Sequence, residues 1–256
     1  MEDKTYFITG ATGFVGSSLA YRLLRGGHKV IALVRSKISS TSPADVASHL
    51  LDRVWNPLIV ASNDANFNPE QLVALGQLHL VPGDITIESP LLGLPEKIPL
   101  GKIDVVCHVA GKISFSEKDF DSTWEVNVEG TRRVLNFAHT VRAEKYSHIS
   151  TAYVAGSAEG VFLESERDGG QIFNNCYEFT KAEGENLVAH LCSRFRMPYS
   201  IYRPPIVVGG RGGTSLSFDG YYMYFKSFWV IKKIVLRKLK QDPDAFKGSG
   251  VKICDD

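Results

Sequence analysis

Apolar residues recur along this chain in two alternating rhythms. Short runs rich in β-formers at Lys4 to Ile8, Lys29 to Val34, Leu78 to Val81, Ile103 to His108, Tyr146 to Ser150 and Tyr199 to Tyr202 predict six strands. Between most of them the apolar positions fall at helical spacing, as at 15, 19, 20, 23 and 24 within Phe14 to Leu24. Strands alternating with helices predict an α/β fold, a doubly wound parallel sheet with helices on both faces. The stretch between Val34 and Leu78 is too long for one crossover helix. Helical patterns at Pro43 to Trp55 and Pro69 to Leu75 occupy it, behind a polar loop at Ser36 to Ser42. Residues 36–77 are therefore expected to be an insertion near the ligand cleft. After Tyr202 the run from Arg203 to Gly213 is turn-rich. It divides the chain into an expected sheet domain, 1–209, and part of a second lobe, 210–256.

The first turn changes a fold prediction into a ligand prediction. Thr9-Gly10-Ala11-Thr12-Gly13-Phe14-Val15-Gly16 lies between the first strand and the first helix, the context in which glycines cradle a dinucleotide pyrophosphate. Gly10 supplies the tight turn, Gly13 the close approach of backbone to phosphate, and Gly16 the packing of helix on strand. The helix N-terminus then faces the anion. Gly10, Thr12, Gly13, Phe14, Val15 and Gly16 are the expected contacts. The second strand ends in Ala32-Leu33-Val34-Arg35, with no carboxylate to repel a 2′-phosphate. Arg35 can grip that phosphate with its planar fork, so NADP (NADPH) is the expected cofactor; otherwise Arg35 is a solvated residue after a strand. Asp84 and Ile85 follow the third strand, where Asp84 either accepts from the adenine amino group or caps a turn.

Composition excludes more than it identifies. The 256 residues, 44% of them hydrophobic, suffice for one full α/β core. A net charge of +1, from 29 basic and 28 acidic residues, creates no general field for nucleic acid. Cys107, Cys176, Cys192 and Cys254 show no CxxC pairing and no zinc-type spacing with histidines, so neither a disulfide framework nor a metal site is expected. The first strand begins almost at Met1, which leaves no room for a targeting peptide, and no run of about 18 apolar residues is present to span a bilayer. A soluble, cytoplasmic protein is expected.

Candidate chemistry lies in two segments. Ser150 and Thr151 end a strand, and Tyr177 and Lys181 open a helix one turn apart on the same face. Tyr222 and Lys226 share that spacing but lie beyond the last strand, and they are read as structural. When hydride reaches a carbonyl, negative charge grows on oxygen and needs a donor. A free tyrosine titrates about three units too high, worth roughly 4 kcal/mol. A lysine ammonium at about 4 Å supplies roughly that much at an effective dielectric of about 20. Lys181 is therefore expected to lower the Tyr177 pKa, and Thr151, or Ser150 beside it, to hold the substrate oxygen. Lys181 is also expected to bond the nicotinamide ribose.

These residues resemble the extended short-chain dehydrogenase/reductases from Lys4 to Gly210. The motifs fall in that family's order: the Gly10, Gly13, Gly16 turn, Gly83-Asp84-Ile85, His108-Val109-Ala110-Gly111, Asn127-Val128 with Gly130-Thr131, Ser150-Thr151-Ala152, Tyr177 with Lys181, and Arg203-Pro204. Segments 83–94, 127–135, 148–156 and 177–185 look most like the thioester-reductase and fatty acyl-CoA reductase branch, the male sterility type. The resemblance implies a Rossmann fold and NADPH-dependent reduction of an acyl thioester, CoA- or carrier-bound, or of the derived aldehyde. It also implies dinucleotide contacts from Val109, Ala110, Lys181 and Pro204. Gly111 stands where the family usually has a second alanine, and Lys112 follows it. Family members run well past 256 residues, so the chain is expected to be a fragment or truncated product that binds NADPH but turns over poorly.

Other functions share the fold. A hydroxysteroid or flavonoid-type dehydrogenase needs the same relay. A nucleotide-sugar epimerase uses it too, but a dehydratase of that type favours an Asp-Glu pair where Ala152 and Tyr153 stand. A non-catalytic NADP-binding sensor would keep only the glycines. Residues 221–240 alternate Phe225, Phe228, Trp229, Val235 and Leu239 with Lys226, Lys233, Arg237 and Lys240. They form either a packed helix with a solvated basic face, or a wall for a long acyl chain or a peripheral membrane contact.

Overall fold

The computed structural model describes residues 3–36, 42–64, 66–89, 92, 94, 101–165, 170–209, 221–242 and 245. They fall into two compact units, 1–216 and 217–256. The first is built on a six-stranded parallel sheet of β1 (Thr5–Thr9), β2 (Lys29–Val34), β3 (Leu78–Pro82), β4 (Val105–His108), β5 (Lys145–Ile149) and β6 (Tyr199–Tyr202). Its order is β3-β2-β1-β4-β5-β6, so the winding reverses between β1 and β4. Open parallel sheets bind ligands outside the carboxyl ends of the strands at such a reversal.

Alternation along β1 distributes its side chains to two cores. Phe7 joins Ile31, Val106, Val134, Phe137 and Val188 on one face, under α5 (Gly130–Thr140) and α6 (Cys176–Phe195). Ile8 joins Val30, Ala32, Leu24, Leu50, Val54 and Leu58 on the other, under α1 (Phe14–Arg25) and α2 (Pro43–Ser62). Coverage of both faces explains why β2 reads as a continuous apolar run, buried at every position after Lys29.

Helix α2 departs from the sequence expectation. Ser42 caps it and Pro43 opens it, but the helix passes through Pro57 and ends at Ser62, with Asn63 left-handed at its C-cap. Proline removes one backbone hydrogen bond. Leu50, Val54 and Leu58, each at most 2% exposed, bury one continuous stripe across that gap, and tertiary packing outweighs the local signal. The short helix α3 (Pro69–Ala74) follows.

Between β4 and α5 lie a 3-10 turn, the short α4 (Phe120–Trp124) and a π-turn at Glu125–Glu129. Periodicity gave no sign of the π-turn. In the second unit, α7 (Tyr221–Gln241) is a single helix without an acidic residue. Phe228, Trp229, Ile231 and Ile234 are exposed on it, and the Lys233 Nζ lies 3.7 Å from the Trp229 ring centre. No described helix is long and apolar enough to cross a membrane. The side chain of Tyr222, and residues 37–41, 210–220 and 251–256, including Cys254, lie outside the described set.

Phe137 is fully buried with its ring 4.4 Å from that of Phe7. A Phe137→Ala variant is expected to lose about 3–5 kcal/mol of unfolding free energy, measured by urea denaturation; a loss below about 1 kcal/mol would contradict this packing.

Candidate active site

The glycine turn is held by contacts that leave no room for side chains. Gly10 has a φ of 74°, and a Cβ there would lie 2.6 Å from the Ala110 nitrogen. A Cβ on Gly16 would lie 2.1 Å from the Gly10 carbonyl oxygen. The start of α1 thus sits directly on the turn, with Gly13 as N-cap, no side-chain cap and no acidic residue in the first turn. Its first N–H groups and the positive end of the helix dipole remain for an anion.

A cleft of about 340 Å³ opens from this turn, lined by Thr9, Gly10, Thr12, Gly13, Arg35, Asp84, Ile85, Val109, Ala110 and Lys112 among others. Phe14, Val15 and Gly16 form the first turn of α1 beside it. Asp84 Oδ1 accepts from both the N–H and the hydroxyl of Thr86, so that oxygen caps a turn at the cleft wall. Pro204 does not line the cleft; its carbonyl accepts the Ala152 N–H.

Arg53 is a charged lining residue for which the sequence offers no signal. Arg53 reaches the cleft from α2, and its Nε is buried without a hydrogen-bond partner among the described residues. Arg35 and Arg53 both line the cleft. Only the fold shows this, because Arg53 lies 18 positions after Arg35 on a helix read from its apolar stripe alone. A turn with no room for a Cβ at Gly10 or Gly16 and an uncapped helix start fit a dinucleotide pyrophosphate.

At the carboxyl end of β5 the second cluster forms. Asn175 caps α6 by accepting from the Glu178 N–H, and Glu178 accepts in return from Asn174. The Cys176 thiol donates to the Ser114 carbonyl at 3.1 Å, which ties the helix start to the segment after β4. Tyr177 and Lys181 follow within the first two turns. The Thr151 side chain lies beside the Tyr177 hydroxyl. Ser150 is buried, with its Oγ unpartnered among the described residues. The Lys181 Nζ donates to the Ile149 carbonyl at 2.8 Å and lies 3.5 Å from His148 Nε2.

The electrostatics differ from the expectation for Tyr177. Burial pushes its hydroxyl above the ordinary value, Tyr153 adds to the rise, and only the Thr151 side chain opposes it. The net shift is upward, not the lowering expected from Lys181. The Lys181 ammonium is itself displaced to about 8 by burial, against a smaller opposing effect of Glu185. Its charge is directed at its own acceptors.

A buried polar chain joins the two clusters. The Thr9 hydroxyl oxygen accepts from the Val109 and Ala110 N–H groups at 3.2 Å and pairs with His108 Nδ1 at 2.8 Å. His108 Nε2 meets the Thr131 hydroxyl at 3.0 Å, which donates to the Asn127 carbonyl at 2.6 Å. The Asn127 side chain, aimed by the π-turn, accepts from the Lys112 N–H and donates to the Lys112 carbonyl and to Thr180, next to Lys181. A Cβ on Gly111 would lie 3.4 Å from Asn127 Oδ1. The Lys112 ammonium bonds Ser122 and lies 3.9 Å from Asp119, at the cleft rim.

The family described as Male sterility protein matches residues 8–247. The alcohol-forming fatty acyl-CoA reductase of Simmondsia chinensis is 29% identical over 181 residues, 68% of this chain and 36% of that protein. Fatty acyl-CoA reductase 1 of Arabidopsis thaliana is 31% identical over 172 residues, 63% of this chain and 34% of that protein. Among solved structures, the terminal R domain of the myxalamid PKS-NRPS pathway is 28% identical with a TM-score of 0.68, covering 86% of this chain and 53% of that one. UDP-glucuronic acid 4-epimerase from Bacillus cereus, in complex with NAD, is 25% identical with a TM-score of 0.56, covering 82% and 58%. The chain spans about a third of the length of these curated relatives.

Burial holds the His108 imidazole at about 3, helped by the Lys181 charge, and lowers His148 in the same way. An unfolded histidine titrates near 6.5. The stability that neutral His108 contributes is therefore full above about pH 6.5 and declines as pH falls toward 3, by roughly 2 kcal/mol at about pH 5. Urea midpoints should drop between about pH 7 and 5, and less steeply in a His108→Gln variant; a wild-type midpoint unchanged over that range would refute the buried neutral histidines.

Proposed function

The chain belongs to the male sterility protein family, and we propose that it is a reductase which uses a nicotinamide dinucleotide to reduce an acyl thioester, bound to coenzyme A or a carrier protein, or the aldehyde derived from it. The observation that carries this reading is the Thr151 side chain beside the Tyr177 hydroxyl, with Lys181 one turn further along the same helix. The relatives named as fatty acyl-CoA reductases, and the reductase domain among the structures, support the substrate class.

Gly10, Thr12, Gly13 and the first turn of α1 would hold the pyrophosphate, Asp84 and Ile85 the adenine side, and Val109 and Ala110 the far wall of the cleft. Arg35 and Arg53 favour NADPH, because guanidinium groups lining the cleft suit the extra charge of a 2′-phosphate. When bound, the reduced nicotinamide supplies the hydride. Burial keeps Tyr177 protonated at neutral pH, the form that can deliver a proton to the oxygen on which charge develops. Thr151 orients that hydroxyl and offers a hydrogen bond to the same oxygen. The Lys181 ammonium, held by the Ile149 carbonyl, would bond the nicotinamide ribose.

Tyr177→Phe is expected to lower turnover of an acyl-CoA about 10²- to 10⁴-fold while leaving dinucleotide affinity, read by fluorescence titration, nearly unchanged. Turnover within a few-fold of wild type would exclude Tyr177 as the donor. Arg35→Asp and Arg53→Ala should each weaken NADPH binding about tenfold or more with little effect on NADH; equal losses for both dinucleotides would refute the phosphate assignment.

A further inference from the structure

We propose that His148 is a positioning residue for Lys181: its unprotonated Nε2 accepts a hydrogen bond from the lysine ammonium and, together with the Ile149 carbonyl, fixes where that ammonium points. The proposal deepens the reductase reading, and its kinetic arm rests on that reading.

The argument starts from donors and acceptors. An ammonium can only donate. Lys181 Nζ has two internal neighbours, the Ile149 oxygen at 2.8 Å and His148 Nε2 at 3.5 Å, and both residues of the longer pair are buried. The ring nitrogen facing an ammonium must carry a lone pair, so the proton of neutral His148 belongs on Nδ1. That Nδ1 is buried and has no hydrogen-bond partner among the described residues. The imidazole therefore leaves one donor unsatisfied and offers its lone pair to Lys181. The two internal acceptors hold two of the three ammonium hydrogens and leave the third for a ligand.

Other polar groups pack around this pair. His108, across β4 with its ring centre 5.3 Å away, is committed to Thr9 and Thr131. Tyr146, on β5, stacks its ring at 13° to that of His148. Glu185, one turn beyond Lys181 on α6, is buried and bound to Arg203 at 2.6 Å. With Lys181 lowered to about 8 by burial, loss of an acceptor would bring its deprotonation into the neutral range.

Nitrogen-15 NMR of histidine-labelled protein reads the tautomer without turnover, with the His148 resonance assigned from a His148→Gln variant. Protonation on Nδ1 is expected at neutral pH; protonation on Nε2 overturns the proposal. In NADPH-dependent acyl-CoA reduction followed against pH, the wild type should lose activity on the alkaline side near 8. His148→Leu should move that limb down by about one unit, and His148→Gln, whose carbonyl can still accept, should restore it. An unmoved limb in His148→Leu overturns the proposal as well. If the wild type reduces no acyl thioester, the reductase reading fails while the tautomer still decides the role of His148. If His148→Leu does not fold, the wild-type tautomer decides alone.

Discussion

One buried hydrogen-bond chain, anchored at the Thr9 hydroxyl, organises the reactive end of this sheet. Thr9 accepts two backbone N–H groups from Val109 and Ala110, so its own hydrogen goes to His108 Nδ1. That choice places the His108 proton on Nε2, directed at Thr131, whose hydroxyl continues to the Asn127 carbonyl. Every member then has a single consistent direction, a condition that buried polar networks must meet to avoid large desolvation costs. The chain fixes the ends of β1 and β4, the π-turn and α5 relative to one another. Those ends carry both the glycine cradle and the support for Lys181.

The two buried histidines follow from the same logic with opposite results. His108 is satisfied at both nitrogens and acts as a strut. His148 sits one strand over, satisfied on neither side except by Lys181. Burial keeps both neutral, and the Lys181 charge would penalise a second positive charge beside it. A lysine ammonium in so dry a place persists because carbonyl and imidazole acceptors replace the water it has lost.

Much of this was legible from the residues. The six strands were predicted within two residues of their ends, since runs buried on both faces leave a strong apolar signal. The glycine turn was legible because backbone geometry demands glycine there, and Tyr177 with Lys181 because helical spacing is local. The passage of α2 through Pro57 was not, since the proline signal is local and the Leu50, Val54 and Leu58 burial that outweighs it is not. Nor was the π-turn that aims Asn127, which no periodicity records.

The sequence by itself determined the alternation of elements, the phosphate cradle and the set of reactive side chains, because each depends on residues a few positions apart. Only the tertiary structure decided what those side chains experience. It brought Arg53 to the cleft that Arg35 also lines and placed His148 next to Lys181 across 33 residues. It also turned the expected lowering of the Tyr177 pKa into a rise. The reason is that charge, burial and hydrogen-bond partnership are set by neighbours in space, and in a parallel sheet those neighbours come from strands and helices far apart in the chain.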